Sequence, residues 1–145
     1  MSAEYQREDG YAISTDPDRV DRDAVWQFLR TSYWSPGVAR EVVSRAIDNS
    51  LVFGLLAPGR AQAGFARLVT DSARFAWLAD VFVLDEHRGK GLGVWLVETA
   101  ISHPAVRDVR ILLGTADAHG LYERFGFVAV DNARMMERPR PEPAG

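Results

Sequence analysis

The sequence predicts an α/β (α+β) domain, a mixed sheet with helices on its faces, and three observations predict it. Apolar residues switch between a period of two and a period near 3.6 along the chain, so strands and helices alternate. The runs fall in the order β-α-α-β-β-β-α-β-α-β-β, which reads as one mixed sheet carrying helices. The 145 residues are 47% hydrophobic and 26% charged, which suits one globular domain with its own core.

The elements follow in chain order. Residues 1–10 are polar and are expected as a flexible N-terminus. Tyr11–Ser14 is a short apolar strand ended by Asp16-Pro17. From Asp21 to Tyr33 the spacing of Val25, Trp26, Leu29 and Tyr33 is helical. Ser35-Pro36 reads as an N-cap followed by proline at the first helical position, which opens a second helix to about Asp48. Leu51–Leu56 and Gln62–Thr70 are strands joined across Pro58-Gly59 as an antiparallel hairpin. Phe75–Leu84 is the longest apolar run, expected to be central and buried on both faces. A helix from about Gly91 to Ser102 buries Leu92, Trp95, Leu96, Thr99 and Ala100 and stops before Pro104. Val109–Leu113 is a strand. Asp117–Phe125 is a short helix, with Asp117 as N-cap and Gly126 as its left-handed terminator. Phe127–Val130 and Arg134–Glu137 are read as two final strands. Residues 138–145 alternate proline with charge and are expected as a flexible tail, leaving 11–137 as the single domain.

Composition narrows the function. A net charge of −3 argues against a general nucleic-acid binder, which needs a basic surface to displace counterions. Without cysteine there is no disulfide, thiolate metal site or cysteine nucleophile. The chain fits a reducing cytoplasm, shows no signal peptide, and has no apolar run near the ~20 residues of a membrane span.

Gly89, Gly91 and Gly93 alternate between the buried strand and the following helix. Glycine admits positive φ and close backbone approach, and a helix N-terminus offers unpaired amides with partial positive charge. Together they make an anion-binding concavity, to which Arg88 and Lys90 add charge. The string Arg88-Gly89-Lys90-Gly91-Leu92-Gly93-Val94 contains no Gly-x-x-x-x-Gly-Lys-Ser/Thr, so it is not a P-loop. A Gly-x-Gly-x-x-Gly count from Gly89 ends on Val94, and from Gly91 on Leu96, so both dinucleotide counts fail. The plain alternative is a tight turn without a ligand, but three alternating glycines would then cost chain entropy with nothing to offset it.

The same string, after Val81-Phe82-Val83, resembles the Arg/Gln-x-x-Gly-x-Gly/Ala coenzyme A motif of the GNAT superfamily of N-acetyltransferases. Ala118-His119-Gly120-Leu121-Tyr122-Glu123-Arg124-Phe125-Gly126-Phe127 is similar to that family's Ala-x-x-Leu-Tyr-x-x-x-Gly-Phe segment, and the element order fits from about Tyr11 to Glu137. The resemblance implies a GNAT-like mixed, mostly antiparallel central sheet of about six to seven strands flanked by about four helices. It implies transfer of an acetyl group from acetyl-CoA, without a metal, to a primary amine of a small molecule or peptide by direct attack in a ternary complex. Neither nucleic acid nor a membrane is an expected partner; a homodimer is compatible with the family.

Residue roles follow from the same resemblance. Arg88, Gly89, Lys90, Gly91, Leu92, Gly93 and Val94 hold the pyrophosphate. Backbone groups of Val81, Phe82 and Val83 pair with the pantetheine arm between splayed strands, as in β-augmentation. Tyr122 is the general acid for the leaving thiolate, since a phenol near pKa 10 stays protonated at neutral pH beside a thiol near 8.5; the alternative is an aromatic packed beside Phe125 and Phe127. Family members often carry Asn three residues before this Ala, where Thr115 stands here. Asp80 interrupts an apolar strand, which is costly unless the carboxylate is paired or opens to a cleft. It reads equally as a general base, as a carboxylate positioning water or amine, or as a structural partner of backbone or arginine. His119 is a rival base by residue type. Tyr33 and Trp34 beside Ser35-Pro36-Gly37 could wall an acceptor pocket for a cationic or aromatic amine, with Asp80 or Asp71, or could pack the helix end. The competing functions are a non-catalytic acyl-CoA-binding or sensing domain of the same fold and, more remotely, a nucleotide binder of another kind.

Overall fold

In the computed structural model, which describes residues 2–131 and 133–141, the strands of one sheet lie side by side in the order in which the chain makes them. They are β1 (Glu4–Gln6), β2 (Ala12–Ser14), β3 (Leu51–Leu56), β4 (Gln62–Thr70), β5 (Phe75–Val83) and β6 (Arg110–Leu112). The first five pair antiparallel, and β6 joins β5 in parallel, as a strand reached through a helical crossover must. The described residues also form four α-helices: α1 (Arg22–Leu29), α2 (Arg40–Asp48), α3 (Leu92–Ile101) and α4 (His119–Glu123). This is the mixed, mostly antiparallel sheet with four helices that the sequence predicts. The residues divide into two units, one ending at Gly114 and the other starting at Thr115.

Packing in the first unit follows the apolar stripes. Val25 and Leu29 of α1 and Val43 and Ile47 of α2 form one cluster with Val52, Phe65 and Phe82 of β3, β4 and β5. Phe28 stacks on Phe82, with centroids 4.0 Å apart and planes at 13°. Leu92, Leu96, Val97 and Ala100 of α3 are buried as well. Each large apolar side chain so buried contributes roughly 1.5–3 kcal/mol. The β4–β5 hairpin turn is closed by Asp71, whose Oδ1 accepts the amides of Ala73, Arg74 and Phe75; those bonds hold its carboxyl below the usual carboxylate range.

Several boundaries differ from expectation, each for a physical reason. The segment expected as a flexible N-terminus supplies β1, because Glu4, Tyr5 and Gln6 pair with Ser14, Ile13 and Ala12. α1 ends at Leu29 rather than Tyr33: the hydroxyls of Thr31 and Ser32 donate to the carbonyls of Phe28 and Leu29 and close the helix. α2 begins at Arg40, not at Pro36. Ser35 instead donates its amide to Ser32 Oγ, and Trp26 Nε1 donates to the Val38 carbonyl, which pins that stretch as a loop. β5 is not buried on both faces; Phe75 and Trp77 are exposed, at 43% and 37%.

In the second unit, α4 is shorter than the predicted Asp117–Phe125, and Asp117 does not cap it. Thr115 Oγ1 accepts the amide of Ala118 (3.1 Å) and, at 3.4 Å, that of Asp117. The helix closes as a Schellman turn: Phe127 N donates to Tyr122 O, Gly126 N donates to Glu123 O, and Gly126 takes φ 87°. The described residues of Phe127–Val130 and Arg134–Glu137 form no strand. Val128 and Met136 are exposed at 83% and 96%, and a strand without a neighbouring ladder has nothing to hold it. The expected tail reaches beyond the described residues at 142–145.

Candidate active site

The glycine-rich turn has the features that its sequence predicts. Gly89 and Gly91 take φ of 81° and 71°, where an L side chain is strained, and a Cβ built on either would meet nothing within 4 Å. Gly91 is the N-cap of α3 and no side chain caps that helix. Its first backbone bond runs from Trp95 N to Gly91 O at 3.1 Å. Among the described residues, the amides of Gly89, Lys90, Gly91, Leu92, Gly93 and Val94 therefore have no protein acceptor, in a segment lying at the positive end of a ten-residue helix. Arg88 is tethered at the rim, with Nε donating to the Val83 carbonyl (3.1 Å) and Nη1 paired with Asp85 (3.0 Å).

Among the described residues, the strand leading into this turn lacks a partner strand on one side beyond Trp77. β6 pairs only with Phe75, Ala76 and Trp77, so β5 from Leu78 to Val83 has no neighbour on that side within its sheet. On the other side the Leu84 amide donates to Ala63 O across the β4 edge. Polar groups alternate along a strand, so those of Val83 face away from β4, toward the open side. The pairing with β6 thus stops at Trp77, before the residues to which the family resemblance assigns the pantetheine arm.

Asp80 sits where that strand bulges. The register moves from Phe65 opposite Phe82 to Arg67 opposite Ala79, which leaves Asp80 and Val81 together facing Ala66. Asp80 takes φ 55°, a conformation that Asp tolerates better than most residues and that the bulge requires. Each oxygen of its carboxylate has a partner: Oδ2 accepts from Arg67 Nε at 2.6 Å and Oδ1 from Trp34 Nε1 at 2.9 Å. Arg67 Nη1 also donates to Ser50 Oγ at 3.1 Å. Of the alternatives that the sequence leaves open, the arginine partnership is the one observed. Trp34 lies against Tyr33 (5.1 Å, edge-on) and near Phe28 (6.1 Å), so the aromatic loop and Asp80 belong to one cluster. Asp71 does not join it, being spent on its own hairpin turn.

In the second unit Tyr122 is buried at 8% exposure and its ring meets Phe127 edge-on at 5.8 Å. The two are the C3 and C″ residues of the Schellman turn, whose hydrophobic contact fixes the tyrosine ring. This gives the Leu-Tyr-x-x-x-Gly-Phe segment a physical reading: glycine ends the helix and phenylalanine holds the tyrosine. Thr115 Oγ1 is occupied by the amides of Asp117 and Ala118 in the turn before α4. His119 is exposed at the start of α4.

An uncapped, glycine-lined helix start after a strand that lacks a partner on one side has the donors an anion needs. The chain belongs to the GNAT acetyltransferases: the family model described as Acetyltransferase (GNAT) domain matches residues 48–129, over half of the chain. A protein of Gibberella zeae provisionally named an acetyltransferase is 28% identical over 135 residues, covering 77% of this chain and 75% of its own. A crystal structure from Xanthomonas campestris pv. campestris, provisionally assigned as a GNAT-family acetyltransferase, superposes with a TM-score of 0.87 at 38% identity, covering 94% of this chain and 96% of that one. An acetyltransferase-like protein of Clostridium acetobutylicum, crystallised with acetyl-CoA, shares the fold at a TM-score of 0.63 and 13% identity, covering 96% of each chain. Among the described residues no helix is long and apolar enough to cross a membrane, and no cluster of acidic and histidine residues could hold a metal ion.

Two participants escape sequence reading. Arg67, the partner of Asp80, is the lone charge in β4 as Asp80 is in β5, and opposite charges interrupting two paired apolar strands were a usable signal. Arg7, which donates to the Lys90 carbonyl at 3.0 Å, carried none.

Proposed function

We propose that this chain is an N-acetyltransferase that moves an acetyl group from acetyl-CoA to a primary amine by direct attack in a ternary complex. The observation that carries the reading is the run of unpaired amides from Gly89 to Val94 at an uncapped helix start, next to the open edge of β5. Hydrogen bonds from neutral amides to a charged oxygen are worth roughly 1.5–3 kcal/mol each, so a few of them hold a pyrophosphate. Arg88 and Lys90 supply charge there, and Arg88 releases the Val83 carbonyl as it turns to the phosphates. The Val83 backbone, on the open side, then pairs with the pantetheine arm, whereas Phe82, opposite Phe65, turns its polar groups toward β4. When bound, acetyl-CoA supplies a thioester whose C–S bond breaks as the amine nitrogen bonds the acetyl carbon, the amine losing a proton and the sulfur gaining one.

Tyr122 is the proton donor to that sulfur; its phenol is the group in the family-like segment suited to the task, and the Schellman turn holds its ring still. Asp80 serves on the amine side. Arg67 holds its carboxylate aimed, so it orients the incoming amine or a water that takes its proton. Tyr33 and Trp34 wall the acceptor side, and an aromatic wall beside a carboxylate suits a cationic amine of a small molecule or peptide.

One observation favours the second reading, a domain that binds or senses acyl-CoA without turnover: both oxygens of Asp80 are already taken by Arg67 and Trp34. A panel of primary amines with acetyl-CoA, read by release of free thiol, separates the two. At least one amine should release thiol, and Tyr122→Phe should lower kcat by about a hundredfold with CoA affinity near wild type. Silence across the panel from a protein that binds CoA would favour the binding domain instead.

A further inference from the structure

The connection between β1 and β2 reaches the glycine turn. Arg7 grips Asp9 with two bonds, Nη2 to Oδ2 at 2.6 Å and Nε to Oδ1 at 3.3 Å. Its guanidinium lies 5.4 Å from the ring of Trp95 in the first turn of α3 and 6.0 Å from the ring of Tyr11. From that seat Nη2 donates to the Lys90 carbonyl, 83 residues away in sequence, at 3.0 Å. The Tyr11 hydroxyl is hydrogen-bonded to His87 Nδ1 at 2.8 Å, so the same connection also meets the chain just before the turn. The Arg7 side chain is 26% exposed, which marks it as a packed group rather than a waving surface arginine.

We infer that Arg7 is a positioning residue for the anion grip. A trans peptide is planar, with its C=O and N–H pointing in opposite directions. Holding the Lys90 carbonyl on the Arg7 side therefore turns the Gly91 N–H to the other side. Two glycines flank Lys90, and neither has a side chain to stop that peptide from rotating. Arg7 supplies the missing restraint. It fixes the amide before an anion arrives, so the ordering cost is met in folding rather than in binding. Its charge, largely balanced by Asp9, acts through the Lys90 carbonyl and not by touching phosphate. The inference rests on the cofactor reading above and adds to it a residue outside both family-like segments.

Calorimetry of Arg7→Ala and Arg7→Lys against CoA and against S-acetylpantetheine, which lacks the pyrophosphate, tests it. Arg7→Ala should weaken CoA by about tenfold, the scale of ordering one residue's backbone on binding, and leave the pantetheine fragment unaffected. KM for acetyl-CoA should rise with kcat near wild type, and the Gly91 amide resonance of the ligand-free protein should shift or broaden. Arg7→Lys should fall between, since lysine can donate to the carbonyl but cannot grip Asp9 through a fork. Unchanged CoA affinity in Arg7→Ala, or equal loss for both ligands, or a drop in melting temperature with no change in affinity, would overturn the role. A wild-type protein that binds no CoA would overturn the cofactor reading and this inference with it, whereas a wild type that binds while Arg7→Ala binds equally sinks the inference alone.

Discussion

The two ends of the open stretch of β5 are built on opposite principles. Near Asp80, each charged group already has a partner: the carboxylate has Arg67 and Trp34, and the arginine also has Ser50. At the glycine turn the backbone amides from Gly89 to Val94 find no acceptor among the described residues, and the N-cap position is Gly91, which has no side chain to offer one. A self-satisfied cluster is rigid and gains little from a ligand; an array of spare donors gains a great deal. On the function proposed above, the turn supplies affinity and the Asp80 cluster supplies shape.

The largest effect should come from breaking the turn. Gly91→Glu places a non-glycine residue at φ 71°, costing roughly 1–2 kcal/mol of backbone strain, and puts a carboxylate beside the anion site. Space is not the obstacle, because a Cβ there meets nothing, so the protein should fold with a modestly lowered melting temperature. CoA affinity should fall by about a hundredfold or more, and the thermal shift produced by CoA should vanish. A variant that keeps that shift would show that the spare amides are not the grip.

Breaking the other end should cost stability instead. Arg67→Met strips Asp80 of its ion pair and leaves a mostly buried carboxylate with one indole donor. Removing one partner of a fully buried pair costs 3–5 kcal/mol; with the two side chains 20% and 11% exposed, about 2 kcal/mol is expected. Chemical denaturation measures it, and adding Asp80→Asn should recover most of the loss, since no charge is then stranded. CoA affinity should move far less than in Gly91→Glu. A comparable loss of affinity would mean that the two ends are not separate in function.

The same contrast explains what was legible in the sequence. The turn is local: alternating glycines, flanking cations and a helix start lie within seven residues, and no distant contact is needed to read them. Asp80 was visible as a charge in an apolar run, and Arg67 as a charge in the preceding one, but the pairing of the two was not. Arg67 comes from the neighbouring strand through a register that a bulge shifts by one residue, and bulges leave little mark on a pattern. Arg7 was hidden by its setting, because a polar, charged segment near a terminus looks like a free end whether or not one side chain locks onto something. The Ser35-Pro36 start signal failed for the converse reason: a sound local signal was overridden by a tryptophan bond to Val38 from α1. The final strands failed because an apolar run becomes a strand only when a neighbouring ladder receives it.

The smallest effect sharpens the notion of a satisfied group, at the far end of the helix that the glycine turn begins. His103 follows α3; its Nδ1 accepts the Ala105 amide at 3.1 Å and its ring meets Phe53 edge-on at 5.9 Å. Burial pushes its pKa below the ordinary imidazole value. Protonation would also turn that nitrogen from acceptor to donor and strand the Ala105 N–H. A histidine depressed in the folded state contributes stability that is present above about pH 6.5, the unfolded value. That stability is lost as the pH falls through the folded one, because the unfolded chain takes up the proton first. The ring is partly exposed, so the loss should amount to about a degree or two in melting temperature. His103→Asn keeps an acceptor for Ala105 without a titrating ring and should flatten that part of the profile. If the slope below pH 6.5 survives in His103→Asn, another group carries it, and His103 is not among the satisfied groups that pH can undo.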